Sequence, residues 1–185
     1  MRAVLDSFLL VFASEMGDKT QLLALLLVAR YRRPWIIMAG VLAATLLNHA
    51  AASVLGGWAS QLLPPIGLRW TLAVIFWIFA LWILVPDKEE DMSAESRFGV
   101  FTTTAVSFFL AEMGDKTQLA TIALGARFQA PMLVTAGTTA GMLAADGLAV
   151  FFGERLLRKV PMKWIRVLAC ALFALFGVLI AFSPA

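Results

Sequence analysis

Cysteine and histidine are almost absent from this 185-residue chain: Cys170 and His49 are the only examples of each. A single cysteine excludes an intramolecular disulfide and any Cys-rich metal site. With no motif pairing either residue with a base, no nucleophile constellation is left, which argues against an intramembrane enzyme. Charge is also scarce, at 15% of residues against about 25% in a soluble domain. The formal charge of +3 is too small to suggest a nucleic-acid partner, and the basic residues gather at the ends of apolar runs. What remains is apolar length. The chain is 61% hydrophobic with a mean hydropathy of +0.86, so it reads as an all-α integral membrane protein with little room for a soluble domain.

Six apolar segments are long enough to span a bilayer, which takes about 20 residues. They fall at roughly 4–29, 35–60, 68–85, 99–126, 131–153 and 164–182. The first, starting at Val4, has no small-residue cleavage site behind it and reads as an uncleaved helix. One polar stretch, 87–97, is acidic (Asp87, Glu89, Glu90, Asp91, Glu95) and separates a first unit, 1–86, from a second, 98–185. It reads as a solvated linker.

The two units repeat. Glu15-Met-Gly-Asp-Lys-Thr-Gln-Leu22 returns as Glu112-Met-Gly-Asp-Lys-Thr-Gln-Leu119, an offset of 97 residues. The same offset pairs Pro34 with Pro131, Gly40 with Gly137, Gly56 with Gly153, Arg69 with Arg166 and Phe76 with Phe173. Each unit holds three segments. Three is odd, so the second unit enters the membrane from the opposite side, which predicts six membrane helices in two inverted three-helix repeats with a site between them at mid-depth.

Lys and Arg counts orient the chain. The first, third and fifth loops carry ten: Arg30, Arg32, Arg33, Lys88, Arg97, Arg155, Arg158, Lys159, Lys163 and Arg166. The other side carries three, Arg2, Arg69 and Arg127. The positive-inside rule puts the linker in the cytoplasm and both termini outside.

Both octapeptides lie in apolar flanks, where an ionisable group costs about 2.5–3.5 kcal/mol on insertion scales. Read as continuous helix, each puts Asp three and Lys four residues after Glu, on neighbouring faces. Gly17 and Gly114 would either admit another helix closely or let the helix open and release carbonyls. Two-fold pairing then gathers Glu15, Asp18, Glu112 and Asp115 around one point, with Lys19, Lys116, Thr20, Thr117, Gln21 and Gln118 in support. Four carboxylates and two lysines sum to −2, which one divalent cation neutralises. Oxygen ligands suit Mg²⁺, Ca²⁺ or Mn²⁺. Burial and like-charge crowding disfavour the ionised carboxylate, so protons compete for the same site, and such competition suffices for antiport. The plainer reading, a salt-bridge cluster pinning two helices, does not require the same ionisable groups twice at one depth. Asn48-His49 aligns with Ala145-Asp146, making His49 and Asp146 repeat mates and candidates for extra ligands, proton relay or interhelical hydrogen bonds. Met16 and Met113 read as packing, and Trp35, Trp58, Trp70, Trp82 and Trp164 as interface anchors.

At these residues the chain resembles the Gdt/MneA-like cation exchangers, whose hallmark is Glu-x-Gly-Asp-[Lys/Arg]-[Thr/Ser] twice around an acidic central loop. The resemblance covers the whole chain. It implies Glu15, Asp18, Glu112 and Asp115 as cation ligands, Lys19, Thr20, Lys116 and Thr117 as the rest of the motifs, and export of a divalent cation driven by inward protons. The short chain is similar to bacterial members, which implies a bacterial inner membrane and Mn²⁺ ahead of Ca²⁺ as cargo, with no tightly bound cofactor. A passive cation channel or uptake permease is the competing class.

Overall fold

The computed structural model describes residues 1–85, 99–157 and 162–183. The linker 87–97, with Lys88 and Arg97, lies outside the described residues, as do Arg158 and Lys159 of the fifth loop. Among the described residues eight α-helices form: α1 Arg2–Glu15, α2 Lys19–Tyr31, α3 Pro34–Ala59, α4 Pro65–Trp82, α5 Val100–Glu112, α6 Lys116–Phe128, α7 Pro131–Leu157 and α8 Met162–Ala181. A 3₁₀ turn, Ser60–Leu62, follows α3. Four helical stretches are long and apolar enough to cross a membrane: Pro34–Leu62, Pro65–Trp82, Pro131–Gly153 and Lys163–Ala181.

Local chemistry sets the boundaries. Pro34, Pro65 and Pro131 open α3, α4 and α7, where a fixed φ and a missing N–H are harmless. Arg32 and Gln129, 97 residues apart, end α2 and α6 in the left-handed region at φ 53° and 48°. Their N–H groups close onto Val28 O at 2.9 Å and Gly125 O at 3.0 Å, also repeat mates.

The first and fourth apolar segments, expected as continuous helices, are each two helices: α1 and α2, and α5 and α6. The break follows from a glycine at positive φ, Gly17 at 81° and Gly114 at 77°, after an extended Met16 or Met113. An L-residue enters that region only with strain, so the motif carries its own interruption.

Packing repeats the 97-residue offset. Gly137 of α7 lies under Val4 and Ser7 of α1, and Gly40 of α3 under their mates Phe101 and Thr104 of α5. A Cβ at Gly40 would come within 2.7 Å of Thr104 Cβ, so only glycine lets these helices approach so closely. The α3 and α7 helices cross at the centre, and α4 packs on α8 beside them. Between α4 and α8, Phe76 and Phe79 meet their mates Phe173 and Phe176 at centroid distances of 4.9–6.3 Å. Leu, Ile, Val and Trp side chains are exposed around the outside, a distribution that suits lipid.

Candidate metal site

Each motif is a helix end facing a helix start. Glu15 is the last residue of α1 and Asp18 occupies the N-cap position of α2; Glu112 and Asp115 hold the same places at the α5–α6 break. The turn is closed by Asp18 N–H to Glu15 O at 3.1 Å and Asp115 N–H to Glu112 O at 3.2 Å. The glycine N–H, which the helix no longer satisfies, is taken by a glutamine: Gly17 N–H donates to Gln21 Oε1 at 2.9 Å and Gly114 N–H to Gln118 Oε1 at 2.8 Å. The glutamines, expected as neutral oxygens near the cation, therefore hold the breaks open. Both α1 and α5 turn their carbonyl ends toward the site, and α2 and α6 their N-terminal ends, leaving last-turn acceptors without intrahelical donors. Asn48 Nδ2 takes one of these, Phe109 O, at 3.1 Å.

Three of the four expected carboxylates come together. Glu15, Glu112 and Asp115, all buried, each offer an oxygen within 4.8 Å of the others. The expectation of Glu and Asp on one continuous face does not survive the break. Asp18 is half-buried and lies outside the triad, in the wall of a crevice with Ser14, Met16, Asp115, Lys116 and Arg166. That crevice holds about 20 Å³, room for roughly one water.

The triad is uneven. Glu15 accepts hydrogen bonds from Thr20 at 2.8 Å and from Thr117 of the other half. Both oxygens of Glu112, and Oδ2 of Asp115, are buried without a hydrogen-bond partner. Lys19 Nζ lies 3.5 Å from Asp115 Oδ1. Lys116 instead donates to Val85 O at 3.0 Å and sits 5.7 Å from the centre of the Trp82 ring. Three carboxylates and Lys19 sum to −2. Two bare carboxylates at 4.8 Å repel by about 3–4 kcal/mol at an effective dielectric of 20. The cluster is therefore stable only with protons or a cation among its oxygens.

Asp146 of α7 is fully buried, neither of its oxygens is hydrogen-bonded, and it lies within electrostatic reach of Glu15 and Glu112. Gln21 Nε2 reaches the neighbouring Ala145 O at 2.6 Å, tying the first break to this part of α7. His49 is also buried with both ring nitrogens unpaired, but it does not face Asp146. Its carbonyl lies 3.5 Å from Thr135 Oγ1, and Asp146 is three turns further along α7, about 16 Å at 1.5 Å per residue.

Arg166 was read for topology alone; nothing in its spacing marked it as a wall of the crevice. The cross-half bond from Thr117 to Glu15 was equally hidden, because it depends on how the halves dock.

Buried carboxylates at the meeting point of two broken helix pairs are the arrangement of a secondary transporter for cations. The chain belongs to the family described as the divalent cation/proton antiporter GDT1, which it matches over residues 3–91 and 100–185. It is 44% identical over 183 residues to a candidate manganese exporter of Vibrio cholerae, covering 98% of this chain and 92% of that protein. It is 29% identical to a GDT1-like protein of Synechocystis, covering 96% of each. With the chloroplastic GDT1-like protein 2 of rice it shares 30% identity, over 93% of this chain and 58% of that protein. No solved structure matches the chain.

Proposed function

We propose that this antiporter exports Mn²⁺ from the cytoplasm in exchange for protons, through a single site built on Glu15, Glu112 and Asp115. The carrying observation is the triad itself: three buried carboxylates sharing one point, balanced by Lys19 to −2. One divalent cation neutralises that charge, and so do two protons, which makes the two cargoes exclusive. Asp18 receives the ion at the crevice, and Lys116, Thr20, Thr117, Gln21 and Gln118 support the two breaks. Asn48 steadies the carbonyl end of α5. Asp146, near the triad and otherwise unpaired, accepts protons from it; His49, without a charged neighbour, is left a packing role. Ca²⁺ fits the same oxygens, and the manganese assignment leans on the Vibrio cholerae relative.

In this reading α1 with α2, and α5 with α6, are single interrupted spans. Residues 1–86 and 98–185 are then inverted three-span repeats in a bacterial inner membrane, with 87–97 cytoplasmic and the termini outside. Proteoliposome flux of Mn²⁺ and Ca²⁺, with and without an imposed pH gradient, tests the proposal. Flux that ignores the gradient would put a passive channel ahead. Asp146→Asn should slow gradient-driven flux more than it weakens Mn²⁺ binding.

A further inference from the structure

The connections between helices define two ends of the molecule. One, the terminal face, holds the start of α1, the α3–α4 and α6–α7 turns and the end of α8. The other, the linker face, holds the end of α4, the start of α5 and the α2–α3 turn. The repeat makes these ends chemically comparable position by position, yet they are packed differently.

On the terminal face α3 and α6 interlock through backbone. A methyl group at Gly56 would overlap the Ile122 carbonyl, and one at Gly125 the Ser53 carbonyl. Hydroxyl bonds beside the seam tie α3 to the start of α7, Ser53 Oγ to Thr135 Oγ1 at 2.7 Å and to Pro131 O at 3.3 Å, and the end of α6 to the turn after α3, Gln129 Nε2 to Ser60 Oγ at 3.3 Å. On the linker face the mates of Ser53, Thr135 and Ser60 are Val150, Met38 and Leu157, and the mate of Gly125 is Val28. None of these four can supply a hydroxyl strap or so close a backbone approach. Gly153, the mate of Gly56, has no neighbour within 4 Å of a Cβ among the described residues and leaves the helix at φ 69°. The crevice past Asp18 and Asp115 is lined by Val85 and Arg166, so it runs toward this looser end.

We infer that the Gly56–Ile122 and Ser53–Gly125 seam is a gate that shuts the carboxylate site from the terminal face, and that the hydroxyl straps hold it shut at rest, so that the buried site exchanges its ion through the linker face first. This rests on the proposed transport reading and adds a direction: at rest the terminal side is the one held shut. The bias is written into residues that differ between the halves, since the two octapeptides are identical. Opening the other way requires α6 to leave α3, which glycine contacts and a few hydroxyl bonds permit and a large side-chain interlock would resist.

The test uses the full chain in proteoliposomes, carrying Cys170→Ser and Thr121→Cys, a buried reporter on α6 between triad and seam. An impermeant thiol reagent is applied from each face separately, and Mn²⁺ binding and exchange are measured alongside. Gly56→Ala should raise labelling from the terminal face by about tenfold or more, as an overpacked contact shifts the equilibrium between states. Exchange should fall by a similar factor, while Mn²⁺ affinity stays within about threefold. The milder pair Ser53→Ala with Thr135→Val adds no bulk and should move labelling the same way. Unchanged labelling in both variants, or faster labelling from both faces alike, would overturn the gate. A parent protein that binds no Mn²⁺ would instead sink the transport reading, so the two failures are distinguishable.

Discussion

The two motif breaks share eight residues, one backbone and the same glycine-to-glutamine bond, yet their surroundings differ. Met16 is 8% exposed and Met113 57%. Glu15 is held by two threonine hydroxyls, and Glu112 by none. Lys19 faces the triad at Asp115, whereas Lys116 reaches to Val85. Identical peptides cannot encode different surroundings. The asymmetry must come from the flanking helices, and under the proposed exchange it belongs to one of two conformations. The first break is the buried, fully bonded side of the site. The second break has the unpaired carboxylate and the exposed methionine, and under the proposed function it is the side an arriving cation meets.

The sharpest way to break this comparison is at the carboxylates. Glu112→Gln removes the acceptor whose oxygens are otherwise unpaired, and losing one member of a buried charge pair costs about 2–5 kcal/mol. Mn²⁺ affinity should drop roughly 30-fold or more, with exchange lost and the protein still in the membrane. Asp18→Asn, outside the triad, should weaken affinity by no more than about tenfold. Equal losses from the two variants, measured by calorimetry on purified protein, would restore a four-carboxylate site.

Next in size is pH. A protonated carboxyl cannot ligate the ion, so affinity must rise with pH and be lost as pH falls. For each proton displaced, apparent Kd should change by up to about tenfold per pH unit wherever the triad titrates. Binding that is flat between about pH 5 and 8 would leave the carboxylates without a role in coupling. Repeating the titration on Asp146→Asn sharpens the result: a shallower slope places one of the exchanged protons on Asp146.

Much of this architecture is legible before any coordinates. The prolines at 34, 65 and 131 mark helix starts, and the 97-residue offset pairs every helix of one half with one of the other. Gly17 and Gly114 signal that the motif helix can open. Hydropathy hides that it does, since the residues on both sides of the break are apolar. Asp18's displacement is invisible for the same reason: spacing rules of three and four hold only along an unbroken helix. The separation of His49 from Asp146 is what an inverted repeat would predict, since inversion carries mates to opposite sides of the centre. The contrast between the halves was not, since it arises from docking and from scattered differences such as Ser53 against Val150.

The lysines separate the halves more finely. Lys19 offsets one of three negative charges, so Lys19→Met leaves a site of −3 that holds a dication harder and releases it more slowly. Kd should fall and turnover should fall with it, each by about threefold to tenfold for a partly exposed group. Lys116→Met, which removes a bond to the Val85 carbonyl just past α4, should change affinity by less than about threefold. A weaker affinity in Lys19→Met would mean that the lysine supports the fold of the break more than it balances its charge.

The smallest expected effect lies in the glutamines. Gln118 has one described task, accepting the Gly114 N–H in a half-exposed loop, where water can replace it at a net loss of about 1 kcal/mol. Gln21 accepts from Gly17 while donating to Ala145 O, and it is buried, so no water is at hand. Replacing it with leucine strands two backbone groups and uncouples the first break from the segment of α7 that carries Asp146. Gln21→Leu should therefore weaken Mn²⁺ binding by about tenfold, and Gln118→Leu by no more than about threefold. Equilibrium affinity is the proper readout, because under the proposed exchange transport passes through two conformations in which the two glutamines would trade roles. Equal effects on affinity would mean that the resting protein spends as long in the second conformation as in the first, and the contrast between the two breaks would then be an average over both.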